Sequence, residues 1–136
     1  MRRIAMPVLP SLLLIPLALS LVSAPADADW VAYQQNAETE ELFESALVSR
    51  EKSLIKVWTL TNYRLPITSL EGQALRSEKS LVTIDCATGK LGAEKVTKHA
   101  DPNGQGTLVS TMETSLRMTS VRPDSADALL MHKLCR

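Results

Sequence analysis

Residues 53–63 read S-L-I-K-V-W-T-L-T-N-Y, and this stretch decides the fold. Isoleucine, valine, tryptophan, threonine and tyrosine suit a pleated surface, and they fill it almost without interruption. In an extended chain successive side chains point to opposite sides. One side then carries Ile55, Val57 and Thr59, the other Leu54, Trp58 and Leu60. Both sets are largely apolar, so this strand is expected to be central and covered on both faces.

On its C-terminal side, residues 64–77 hold Pro66 and Gly72 and lack a clean period. They read as a connection, within which residues 70–76 could turn helically. Residues 79–86 alternate, with Val82, Ile84 and Cys86 on one face and Leu81, Thr83 and Asp85 on the other. Residues 87–90 supply a turn, and residues 91–100 form a more polar strand suited to a sheet edge. Asp101-Pro102-Asn103-Gly104 is a strong turn signal, because Pro fixes φ while Asn and Gly tolerate positive φ. The chain should reverse there into residues 107–112. Residues 116–121 continue as strand, in one long element or in two with a break near residues 114–115.

Pro123 ends the ladder, and Asp124 or Ser125 caps a helix over residues 126–134. Asp127 lies near its positive end and Lys133 near its negative one. Ala126, Leu130 and Leu134 form an apolar stripe with Leu129 beside it. Towards the N-terminus, residues 30–34 (W-V-A-Y-Q) suit a first strand and the polar residues 36–41 suit a loop. Residues 42–49 are ambiguous between helix and strand. Strands first and a closing helix imply an α+β fold, an antiparallel sheet of about five to six strands with the helix on one face. Trp58 is expected in the core, whereas Tyr33 and Tyr63 stand open between core and partner contact, since a phenol can keep its hydroxyl wet.

The start of the chain carries an address. Arg2 and Arg3 precede an apolar run over residues 11–22, and Ala26-Asp27-Ala28 has the A-x-A form of a cleavage site. This reads as a secretory signal peptide over residues 1–28, leaving one domain over residues 29–136. No later apolar segment is long enough to span a bilayer, so no transmembrane span is expected. The first cysteine is Cys86, so no cysteine follows the leader directly and no lipid anchor is expected.

Lys and Arg number 15 and Asp and Glu 15, and without the leader the balance is near −1. That gives no electrostatic reason to expect nucleic acid or an anionic membrane surface, since both demand clustered basic charge. The two cysteines, Cys86 and Cys135, lie in an exported chain, which favours a disulfide over a redox pair or a metal site. Bonding them would hold the end of the helix against the face that shows Val82 and Ile84.

Reactive constellations are lacking. His99 and His132 are isolated, and no spacing proposes a nucleophile with an oriented base. Asp85 has no second acid at a helpful spacing. No phosphate-binding glycine loop and no metal-ligand cluster occurs, so no catalytic residue, metal or cofactor is expected and the chain is not read as an enzyme. Lys90, Lys95 and Lys98 are the one basic concentration. Such lysines guard an edge strand or form a face for an acidic partner.

Taken together, Trp30 and Tyr33, the run V-W-T-L-T-N-Y over residues 57–63, Ile84-Asp85-Cys86, Val121 to Ser125 and the final Cys135 resemble the surface-adhesin protein E family of Gram-negative bacteria. The resemblance spans nearly the whole domain. It implies a small antiparallel sheet of about six strands, a C-terminal helix and a Cys86–Cys135 bond. For the family's best-known member it also implies an outer-membrane lipoprotein that binds host matrix proteins such as laminin and vitronectin. The expected function is therefore a non-enzymatic exported protein, periplasmic or secreted ahead of surface display. Its partner would be a host matrix or envelope protein, met through Lys90, Lys95, Lys98 and Tyr63. The alternative is a periplasmic enzyme inhibitor or envelope assembly accessory that inserts residues 64–77 into a cleft.

Overall fold

The structure is a computed structural model that describes residues 28–136; the leader expected before that point lies outside the described residues. Eight strands run in chain order: β1 (Trp30–Gln35), β2 (Thr39–Glu44), β3 (Ser49–Glu51), β4 (Leu54–Thr68), β5 (Ala74–Asp85), β6 (Lys90–His99), β7 (Leu108–Glu113) and β8 (Thr119–Ser120). One helix, α1 (Ala126–Leu134), follows them. The sheet is antiparallel in the order β1-β2-β4-β5-β6-β7, with β3 paired to β4 and β8 paired to β6.

All of the decisive stretch but Ser53 falls within β4, which is central as expected. The sheet has eight strands, however, instead of five to six, and the described chain is mostly β. The additional strands β3 and β8 are three and two residues long, too short to show any alternation of side chains. Residues 36–41 are not all loop either, since Thr39, Glu40 and Glu41 pair with Tyr63, Asn62 and Thr61. Cross-strand bonds explain the polar strand: the Thr61 hydroxyl donates to Glu41 at 2.7 Å.

The largest departure is residues 64–77. Instead of a loose connection they extend the β4–β5 hairpin, with Ile67 opposite Leu75 and Thr68 opposite Ala74 beyond an irregularity after Asn62. Pro66 is tolerated because β2 ends its pairing at Tyr63, so β4 from there on has one neighbour and needs no second ladder. Residues 116–118 likewise stay out of the sheet.

The main core lies between β4, β5 and α1. Ile55, Val57, Val82 and Ile84 meet Leu130 and Leu134, with Tyr33, Phe43, Leu91 and the Cys86–Cys135 pair packed around them. The helix occupies the span expected from its pattern. Ser125 caps it, its Oγ accepting the Ala128 N–H at 3.2 Å. Leu130 is 1% exposed, whereas Leu129, expected beside the buried stripe, is 46% exposed.

The other face is covered at one end by a 3-10 turn, Pro102–Gly104. The buried Ser77 hydroxyl donates to the Asp101 carbonyl at 2.6 Å and accepts the Gly104 N–H at 2.9 Å. Asn62 and Asn103 exchange two further bonds, at 2.9 and 2.8 Å. Gly104 has a φ of +66°, and a side chain there would strike the aliphatic stem of Lys79. That stem ends between two indoles: the Lys79 ammonium stands 5.7 Å from the Trp30 ring centre and 5.2 Å from that of Trp58. Trp58 is therefore half-buried under a lysine instead of lying deep in the core. Leu60 beside it is fully buried, so the expectation that β4 is covered on both faces holds for its middle.

Two neighbouring leucines separate packing from propensity. Leu130→Ala should cost about 2–5 kcal/mol in urea unfolding, while Leu129→Ala should cost well under about 1 kcal/mol.

Candidate partner-contact surface

Because β4 outruns β2, the hairpin beyond Tyr63 projects with large apolar side chains in solvent. Leu65 is 79% exposed, Ile67 42%, and Leu70 is fully exposed at the tip. A groove of about 290 Å³ lies at the base, lined by Ala37, Glu38, Thr39, Tyr63, Leu65, Pro66 and Ile67. Apolar side chains in such numbers, close together and outside a core, mark contact surfaces.

The base of the groove is fixed. Arg64 donates through Nε to the Asn36 carbonyl at 2.6 Å and through its backbone N–H to the Glu38 carbonyl at 2.9 Å. The Asn36 side chain accepts the N–H groups of Glu38 and Thr39, each at 2.8 Å. At the tip, Ser69 closes the reversal by accepting at Oγ the Gln73 N–H, while its own N–H donates to the Gln73 carbonyl. Gly72, at φ +80°, makes that reversal possible.

Tyr63 anchors the inner wall. Burial pushes its phenol up to about 12, helped by the charges of Glu78 and Glu41 and by a hydrogen bond to Glu78. Tyr33, under the helix, is raised further by burial, then by Glu41 and Asp127. Both phenols therefore stay protonated. Tyr63 is half-buried and lines the groove.

The three lysines expected as contacts do not share one surface. Lys98 stands opposite Glu78, with 3.9 Å between the charges. Lys95 stands opposite Leu81 and pairs with Glu113 at 3.0 Å on the next strand. Lys90 lies at the far end of the sheet, opposite Asp85. None of them lines the Tyr63 groove.

The remaining titratable groups do structural work. The Asp85 carboxylate accepts from the Thr88 hydroxyl at 2.9 Å and from the Ala87 N–H at 3.0 Å, bonds that hold its pKa below the ordinary carboxylate range and close the β5–β6 turn. Burial, then the Lys79 charge, lowers His99, whose Nε2 meets the Thr97 hydroxyl at 3.0 Å. Among the described residues no group of three potential ligands could hold a metal ion. No described helix is long and apolar enough to cross a membrane.

Comparison with known proteins assigns the fold. The family model for surface-adhesin protein E matches residues 30–136, and the chain belongs to that family. Solved structures of protein E share its fold. Protein E of Haemophilus influenzae aligns with a TM-score of 0.62 at 15% identity, over 84% of this chain and 90% of its own. A structure of protein E from non-typeable Haemophilus influenzae aligns at 0.60 and 15%, over 86% and 81%. A search of curated protein sequences finds no match.

The phenols offer a direct check on the packing around the groove. Absorbance titration should show neither tyrosine ionising near pH 10 in the folded protein, and both doing so there in urea. The bound proton of Tyr63 contributes stability that is complete below pH 10 and lost as pH rises through about 12. Native ionisation near pH 10 would contradict the described burial.

Proposed function

We propose that this chain is an exported, non-enzymatic, adhesin-like protein that acts by contact with a protein partner, a host matrix or envelope protein, in the periplasm or outside the cell. The observation that carries the reading is the β4–β5 hairpin end, where Leu65, Ile67 and Leu70 stand in solvent on a hydrogen-bonded base beside Tyr63. Membership of an adhesin family supports it. Apolar anchors of this kind supply most of the affinity at an interface, while surrounding polar groups set register. Lys95 and Lys98 already face carboxylates within the sheet, so their contribution to a partner would require exchanging those pairs. Lys90 is free to act separately.

A second reading rests on the same hairpin. A narrow projecting loop can enter the cleft of a periplasmic enzyme, which would make the protein an inhibitor or an envelope assembly accessory. The two readings differ in the partner, and agree on the residues that touch it.

The test is capture of matrix and envelope proteins by the wild type and by the variant Leu65→Ser, Ile67→Ser, Leu70→Ser. All three side chains are exposed, so the variant should fold normally and lose at least about tenfold in affinity for a captured partner. Undiminished binding by a folded variant would remove the hairpin as the contact surface. Inhibition of a cell-wall hydrolase, abolished by the same substitutions, would favour the second reading.

A further inference from the structure

Six cationic side chains, distant in sequence, gather at the sheet end opposite the hairpin. Lys52 sits in the β3–β4 turn before Ser53, whose carbonyl accepts the Cys86 N–H at 2.9 Å. Lys90 opens β6 in register with Ser120, and Arg122 follows Val121, whose N–H donates to the Gly89 carbonyl at 3.0 Å. Arg50 donates through Nη2 to the Leu134 carbonyl at 3.0 Å, which brings in Lys133 and Arg136 on either side of Cys135. All six are exposed. Among the described residues none of them stands within 4.0 Å of a carboxylate, whereas Lys56, Lys95 and Lys98, further along the sheet, all do.

The acidic side chains at this end are Glu51, Asp85 and Asp124, and Asp85 is occupied by its own turn. Glu38, Glu40, Glu41, Glu71, Glu78 and Asp101 lie towards the other end. A chain close to neutral overall is thus electrically lopsided once folded. The cations flank β4 and β5 from β3 on one side to β6 on the other, three strand spacings or about 14 Å, and extend to the end of the helix. Such an array matches a planar field of anions better than a single one. Two large apolar side chains accompany it: Leu54, 46% exposed, and Leu116, 41% exposed, line one groove beside Glu51. Cations combined with exposed apolar groups suit a bilayer surface, where phosphates meet acyl chains. A nucleic acid or a sulfated glycan offers no apolar phase to receive the leucines.

We propose that this end docks on an anionic lipid bilayer, the six cations over headgroup phosphates and Leu54 and Leu116 at the acyl boundary. The surface is separate from the hairpin and shares only Lys90 with the partner reading.

The test is sedimentation of the oxidised protein with vesicles of phosphatidylglycerol and phosphatidylcholine, against phosphatidylcholine alone. Binding should require the anionic lipid and weaken as salt rises. Lys52→Gln, Lys90→Gln, Arg122→Gln together should lower partitioning about a hundredfold with an unchanged melting curve. Leu54→Ser, which keeps every charge, should remove the part of the binding that survives high salt. Equal binding to both vesicle types, or no response to the charge variant, would overturn the proposal. Retention on heparin or DNA without vesicle binding would also overturn it, by assigning the cations to a chain-like polyanion.

Discussion

The Cys86–Cys135 bond is the constraint on which the rest of the structure leans. It joins the residue after β5 to the residue after α1, with the two Cα atoms 5.5 Å apart. A nine-residue helix has little stability of its own in water. Here it is held at one end by sulfur and at the other by the Ser125 cap, and between them Leu130 and Leu134 close over Ile55, Val57, Val82 and Ile84. Without that cover the central strands would show water a continuous apolar surface. Reduction should therefore act first on the helix and only through it on the sheet.

The apolar tip follows from unequal strand lengths. β4 has fifteen residues and β2 six, so one end of the β4–β5 hairpin leaves the sheet and carries its apolar side chains into solvent. At the other end strand termini, short turns and the helix C-terminus converge, and exposed cations converge with them. One molecule therefore presents an apolar tip and a cationic base at opposite ends of the same two strands. In that arrangement the base would rest on a surface while the tip points away from it.

The central strand, the turn at Asp101-Pro102-Asn103-Gly104 and the helix bounds were legible in the sequence because each depends on local chemistry, and the cysteine pairing because an exported chain with two cysteines has one pair to make. The strand count was not. β3 and β8 exist only through their neighbours, and β2 hides as a polar run because its threonine and glutamate side chains are satisfied across the sheet. Residues 64–77 misled for a related reason: Pro66 excludes a strand with two neighbours, and nothing local shows that this segment has one. Tyr63 is not the strand end that residues 53–63 suggest, since β4 runs on to Thr68, and its groove is made with residues 37–39, some 25 positions away. The cationic end was invisible, since Arg50, Lys52, Lys90, Arg122, Lys133 and Arg136 never occur as a run.

The most direct test of this dependence is hydrogen exchange together with urea unfolding on Cys86→Ser, Cys135→Ser beside the oxidised wild type. Opening a loop of 49 residues should remove about 4 kcal/mol of stability. Amides of Ala126–Leu134 should lose protection well before those of β4 and β5. A loss below about 1 kcal/mol, with helix amides still as protected as the central strands, would contradict the account.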